Sequence, residues 1–200
     1  CGTWREAGKK MVLKSMKAET AKDNQQATVV ALFDMPEQES EMQITYNMLP
    51  NGNVEVNMHF TPGNKALPEM PRLGMCMILK AEYDQMTWLG RGPQENYSDR
   101  KSGYLIGKYS ASVWDQYHPY VRAQETANKC DVRWFTLASK TGAGIKVEGA
   151  EPLSVSAWNF PQDDLLYVPS MQEHRHGGCV DKKDMVWVNI DHLQMGVGGD

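Results

Sequence analysis

Glu41-Met42-Gln43-Ile44-Thr45-Tyr46-Asn47-Met48-Leu49-Pro50-Asn51-Gly52-Asn53-Val54-Glu55-Val56-Asn57-Met58-His59-Phe60 decides the fold class. Met42, Ile44, Tyr46 and Met48 alternate with Gln43, Thr45 and Asn47, and a period of two gives a strand one buried face and one wet face. Pro50-Asn51-Gly52-Asn53 then turns the chain, and Val54, Val56, Met58 and Phe60 repeat the alternation. Two alternating runs around Asn-Gly specify a β-hairpin.

The same texture extends in both directions. Residues 11–19 alternate loosely, and 27–33 are β-branched and apolar, as in a central strand. Residues 61–71 hold three prolines and a glycine and read as an ordered connector. Strands are expected over 73–79, 86–89, 103–113, 131–139, 144–148, 153–160 and 185–190. Thr141-Gly142-Ala143 turns a second hairpin, and residues 162–168 form one or two helical turns after Pro161. About a dozen short strands with almost no helix mean an all-β fold, a large antiparallel β-sandwich. Two packed sheets are preferred to a closed barrel at that strand number, and the lack of a fixed-period repeat sets a propeller aside. One domain over residues 1–200 accommodates the pattern.

Charged residues at 23% and aromatics at 9% allow a buried core and exclude a disordered chain. A net charge of −4, with no basic run carrying interleaved aromatics, argues against nucleic acid as a partner. No apolar stretch approaches the ~20 residues of a membrane helix. Cys1, Cys76, Cys130 and Cys179 are scattered with no C-x-x-C pair, so buried thiols are expected rather than a disulfide framework. The chain opens at Cys1-Gly2-Thr3-Trp4 and stops at Gly198-Gly199-Asp200, and both ends read as cuts within a longer polypeptide.

Three polar constellations stand out. The first is Trp88-Leu89-Gly90-Arg91-Gly92-Pro93-Gln94-Glu95-Asn96-Tyr97-Ser98-Asp99-Arg100. It reads as a strand running into a tight bend, because glycine tolerates positive φ and proline fixes its own. Residues 94–100 cannot be buried unless their groups pair with one another or with a ligand. A self-satisfied loop that buttresses the strand and a contact surface for a sugar or another domain are both open. The second is Tyr117-His118-Pro119-Tyr120-Val121-Arg122-Ala123-Gln124-Glu125, where aromatics stand beside amide, carboxylate and guanidinium groups. Sugar rings, with apolar C–H faces and hydroxyl edges, are met by such mixtures; so are loops anchored on a sheet by their aromatics. The third, Gln172-Glu173-His174-Arg175-His176, places two histidines on one face of an extended segment. A metal there needs a third ligand, from His118, His192 or Cys179, and nothing in the spacing demands it. No G-x-S-x-G, phosphate loop or dinucleotide fingerprint occurs. Glycoside hydrolysis by retention uses two carboxylates ~5 Å apart, and no pair is marked by its context.

Residues 88–100 resemble the W-x-G-x-G-P-x-E-N-Y-x-D-R signature of the C-terminal domain of glycoside hydrolase family 2 β-galactosidases, also called the β-galactosidase small chain. Met70-Pro71-Arg72-Leu73-Gly74 is similar to that domain's L-P-R-[IL]-G, and Pro119 to Glu125 to its P-Y-V-x-P-Q-E, with Ala123 in place of the second proline. Asp131-Val132-Arg133-Trp134, His174-Arg175-His176 and Asn189-Ile190-Asp191 through Met195-Gly196-Val197-Gly198-Gly199-Asp200 follow in the family's order, and Trp4-Arg5-Glu6-Ala7-Gly8 resembles its lead-in. The resemblance implies a galactose mutarotase-like sandwich at the end of a multidomain enzyme that cleaves terminal β-galactosides, with its catalytic glutamates in a separate barrel. It implies no catalytic residue and no metal in this stretch, no cofactor of its own, and Mg and Na only in the intact enzyme. The sugar-facing candidates are Glu95, Arg100, Tyr120, Glu125, Arg133, His174, His176 and Asp200. Expected partners are the other domains of the parent and its galactoside substrate, with self-association where lost flanks expose sheet edges. The isolated stretch is expected to be inactive. Two rival readings are an aldose 1-epimerase using His174 or His176 with Glu125, and a stand-alone carbohydrate-binding module.

Overall fold

The Asn-Gly hairpin closes where the alternation places it. Leu49 N–H donates to Asn53 O at 2.8 Å and Gly52 N–H to Leu49 O at 3.0 Å, with Gly52 at φ 83°, a conformation glycine adopts without penalty. The computed structural model describes residues 2–21, 26–63, 66–121, 124–165 and 180–196. They fall into two units, Cys1–Pro71 and Arg72–Asp200, whose boundary lies at the end of the proline-rich connector.

The first unit opens with a single helical turn, α1 (Gly2–Arg5), and continues as β1 (Val12–Thr20), β2 (Ala27–Met35), β3 (Ser40–Met48) and β4 (Val54–Thr61). These form an antiparallel sheet in sequence order, β1-β2-β3-β4. The β3–β4 register runs from Met48↔Val54 to Glu41↔Thr61, so Met42, Ile44, Tyr46 and Met48 oppose Phe60, Met58, Val56 and Val54. That pairing keeps each apolar residue on its partner's face, which is why one register wins. Trp4 closes this unit's end, donating its indole N–H to Pro68 O at 3.0 Å with its ring edge-on to Phe60.

The second unit contains β5 (Arg72–Lys80), β6 (Gln85–Gly92), β7 (Leu105–Ser112), β8 (Lys129–Ala138), β9 (Gly144–Trp158) and β10 (Met185–Gln194). All neighbours are antiparallel, in the order β5-β10-β9-β8-β6-β7. One apolar cluster covers the sheet, with Met86, Trp88, Val132, Phe135, Leu137, Val155, Val186 and Val188 all buried. A second cluster forms around Trp158, Phe160, Leu165 and Val180. The all-β architecture of two antiparallel sheets expected of a β-sandwich is thus present, with ten strands among the described residues. Segments 144–148 and 153–160, expected as separate strands, belong to the single long strand β9. Residues 162–168 begin with a 3-10 turn, Gln162–Leu165, and the rest lies outside the described residues. Of the thiols, Cys130 is buried and free as expected, whereas Cys76 is free and exposed; Cys1 and Cys179 lie outside the described residues.

Candidate functional site

Strand β6 points Met86, Trp88, Gly90 and Gly92 inward and ends in a cis Gly92–Pro93 bond. The two glycines are needed for close approach rather than for positive φ. A Cβ on Gly90 would lie 2.8 Å from Val132 Cγ2 and 2.9 Å from Val132 Cα, and one on Gly92 would meet the Tyr109 ring at 2.7 Å. This corrects the reading of a bend driven by left-handed glycine. Trp88 is buried and donates its indole N–H to Arg91 O at 3.0 Å. Arg91 then fans out, from Nε to Asp131 Oδ2 (2.5 Å) and from Nη1 to the carbonyls of Lys101 (3.1 Å) and Tyr104 (2.8 Å).

Beyond Pro93 the loop is fastened to the segment preceding β8. Asn96 N–H donates to Asn128 O at 2.8 Å, Asn128 Nδ2 donates to Asn96 O at 2.8 Å, and Asn96 Oδ1 accepts from Cys130 N–H at 2.8 Å. Glu95 sits at the centre. Its Oε1 accepts from Arg100 Nη2 (2.9 Å) and from the Tyr120 hydroxyl, while its Oε2 accepts from Thr126 Oγ1 (3.0 Å) and Ala127 N–H (2.7 Å). Arg100 also donates to the Tyr120 oxygen at 3.0 Å and lies 4.8 Å from the centre of the Tyr97 ring, within cation–π range. A carboxylate receiving four hydrogen bonds is a brace, and it carries the negative charge that keeps Arg100 in place.

Glu95, Arg100 and Tyr120, three of the sugar-facing candidates, therefore meet on one hollow of about 460 Å³. Tyr104, Tyr117, His118, Asp115 and Gln116 complete its rim and walls, and Lys129 lies beneath. Tyr117 is also an anchor, its ring 5.2 Å from Phe160 and 5.5 Å from Trp114, so both readings of the Tyr117–Glu125 stretch hold for different residues. Lys129 and Gln116 were missed by the sequence reading. Lys129 is buried, donates to Ala127 O at 3.0 Å and stands 5.1 Å from the Trp88 ring. Burial pushes its pKa down to about 8, against a smaller upward pull from Glu95.

The remaining candidates are elsewhere. Glu125 joins a buried cluster with Arg72 and Asp191. Arg72 Nη2 donates to Asp191 Oδ2 at 2.5 Å and its Nη1 lies 3.5 Å from Glu125 Oε2. Burial raises the pKa of both carboxyl groups, with Arg72 pulling each back; Gln194 also helps to hold Glu125 ionised. On Arg72 burial opposes the charge, and the two carboxylates outweigh it and raise its pKa. Arg133 is exposed and donates to Asp131 O at 2.5 Å, away from the hollow's lining. His174, His176 and Asp200 lie outside the described residues, and with them the histidine pair weighed as a metal site.

Comparison with known proteins places this geometry. The family model described as Beta galactosidase small chain matches residues 1–200. Three proteins named Beta-galactosidase are similar to the chain. That of Priestia megaterium is 33% identical over 201 residues, covering 100% of this chain and 18% of the relative. That of Lactobacillus delbrueckii subsp. bulgaricus is 32% identical over 199 residues, covering 98% and 19%. That of Vibrio cholerae is 30% identical over 155 residues, covering 78% and 14%. The chain thus spans less than a fifth of the length of these relatives, and an end-to-end match of that kind settles its kinship: it belongs to the β-galactosidase small chain family.

Proposed function

We propose that the chain is a non-catalytic β-domain of a β-galactosidase, which braces and walls the galactoside site of a larger polypeptide. The observation that carries the reading is the match over all 200 residues to a family whose named members are several times longer. Its partners are then the other domains of that polypeptide, and the substrate is a terminal β-galactoside. Any Mg or Na belongs to the intact enzyme. The fully bonded Glu95 fits a supporting role, because both of its oxygens already hold the loop to Arg100, Tyr120, Thr126 and Ala127.

The test compares three preparations with a chromogenic β-galactoside: the complete parent polypeptide, the parent with these 200 residues deleted, and the 200-residue chain. Hydrolysis by the parent, its loss on deletion and no turnover by the chain support the proposal. Turnover that stays with the purified 200-residue chain, or undiminished activity after deletion, overturns it.

A further inference from the structure

The hollow holds unmet hydrogen-bonding capacity of two kinds. Gln116 spends its amide nitrogen on Ser112 O at 3.2 Å and on Met86 Sδ at 3.6 Å. The Ser112 carbonyl fixes which way the amide turns, since it needs a donor. That leaves Gln116 Oε1 as the free end, and it is buried with no hydrogen-bond partner. A buried acceptor without a donor costs on the order of 1–3 kcal/mol, so a site retaining one has reason to receive a donor from outside. Lys129 offers the opposite: an ammonium carries three donors, and Ala127 O is the partner its Nζ shows.

We propose that this hollow is a binding subsite for a neutral sugar ring, with Gln116 and Lys129 as its polar anchors and tyrosine faces as its walls. A hydroxyl both donates and accepts, so adjacent ring hydroxyls answer Gln116 Oε1 and Lys129 Nζ together. A phosphate dianion or a carboxylate only accepts and would set lone pairs against Gln116 Oε1. The formal charges bordering the hollow also balance, Arg100 and Lys129 against Glu95 and Asp115, which favours a neutral ligand over an ion. Tyr104, Tyr117 and Tyr120 supply the apolar surface that C–H faces of a sugar need. The volume of about 460 Å³ is within the ~300–1,000 Å³ of small-molecule sites. The subsite rests on the galactosidase reading only for the choice of probe.

The test titrates the 200-residue chain with D-galactose and methyl β-D-galactoside, following tryptophan fluorescence and ligand-observed NMR, with inorganic phosphate as the anionic probe. Saturable sugar binding is expected in the millimolar range. Gln116→Leu should weaken it at least tenfold with an unchanged melting temperature. If that variant fails to fold, Tyr104→Ala decides the same question on the wall. No saturation by either sugar overturns the subsite, as does binding that no variant changes. Saturation by phosphate displacing the sugar overturns the assignment of ligand class. A parent that hydrolyses galactosides while this chain ignores sugar sinks the subsite alone; a chain that binds galactose within an inactive parent sinks the function alone.

Discussion

Asp131 stands at φ 55°, a region that Asp tolerates better than most residues, and its carboxylate bridges Arg91 at 2.5 Å and Lys101 at 3.0 Å. Burial alone would raise its pKa, but the two cations outweigh it and hold the group below the ordinary carboxylate value. A folded pKa below the unfolded one means stability that is present above the unfolded value of ~3.9 and is lost as pH falls through the folded value. Asp131→Ala should therefore cost about 1–3 kcal/mol at pH 7 and flatten the acid limb of the stability curve, read by urea unfolding; Asp131→Asn, which keeps the backbone preference, should cost less. Lys129 works in the other direction. Its pKa of about 8 lies below the ordinary lysine value, so between those two pH values the unfolded chain binds more protons and stability rises with pH. Lys129→Met should remove that rise, on the order of 1–3 kcal/mol in the wild type. Glu95, Arg100 and Tyr120 were legible as candidates because charge on a turn-rich loop must be paired or must serve a ligand. Lys129 was not. A strict period of two counted back from Val132 puts it on the opposite face, and the register irregularities between Lys129 and Val132 break that parity.

At the scale of the element, the Arg72–Glu125–Asp191 cluster ties the start of β5 to the end of β10 and to the segment leading into β8. Removing one partner of a buried ion network strands the others, so Arg72→Met should cost about 3–5 kcal/mol near neutral pH. Glu125 and Asp191 have raised folded pKa values, hence stability fully present below their unfolded pKa and lost as pH rises through the folded one. Without the guanidinium those values climb further, and the deficit of Arg72→Met should be larger at pH 8 than at pH 5; equal urea-derived deficits at both would refute the cluster's electrostatic role. In β6, Gly90→Ala drives a methyl into Val132 and should cost about 1–3 kcal/mol, measured by thermal unfolding. The hairpin of β3 and β4 was readable to the residue because alternation and turn chemistry agree there. Strand β9 was not, because Gly149 and Pro152 look like a break. Pro152 is tolerated where β9 changes register against β8, between the Glu148 and Leu153 pairs, and before its pairing with β10 begins at Ser154, so no ladder donor is asked of it.

Over the whole molecule, burial is divided unevenly between the two units. The buried apolar residues of Cys1–Pro71 are Ala7, Ala31, Met35 and Met42, and β1 is exposed along its entire length. Arg72–Asp200 buries Trp88, Tyr97, Phe135, Trp158 and Phe160 together with a run of valines on β8, β9 and β10. Apolar area removed from water is the main favourable term, at ~25 cal/mol per Å², so the second unit should hold most of the stability. Local opening follows the same gradient, since strands with few buried contacts open at lower free energy than core strands. Native-state hydrogen exchange should accordingly show the amides of β1 and β2 exchanging well before those of β6, β8, β9 and β10. A sugar that binds the hollow stabilises the state it binds by mass action, so millimolar galactose should further slow exchange in the second unit and leave β1–β4 unchanged. Uniform protection across both sheets would show that the chain opens as one cooperative body. Slowing confined to β1–β4 would place the sugar elsewhere than the Glu95–Arg100 hollow.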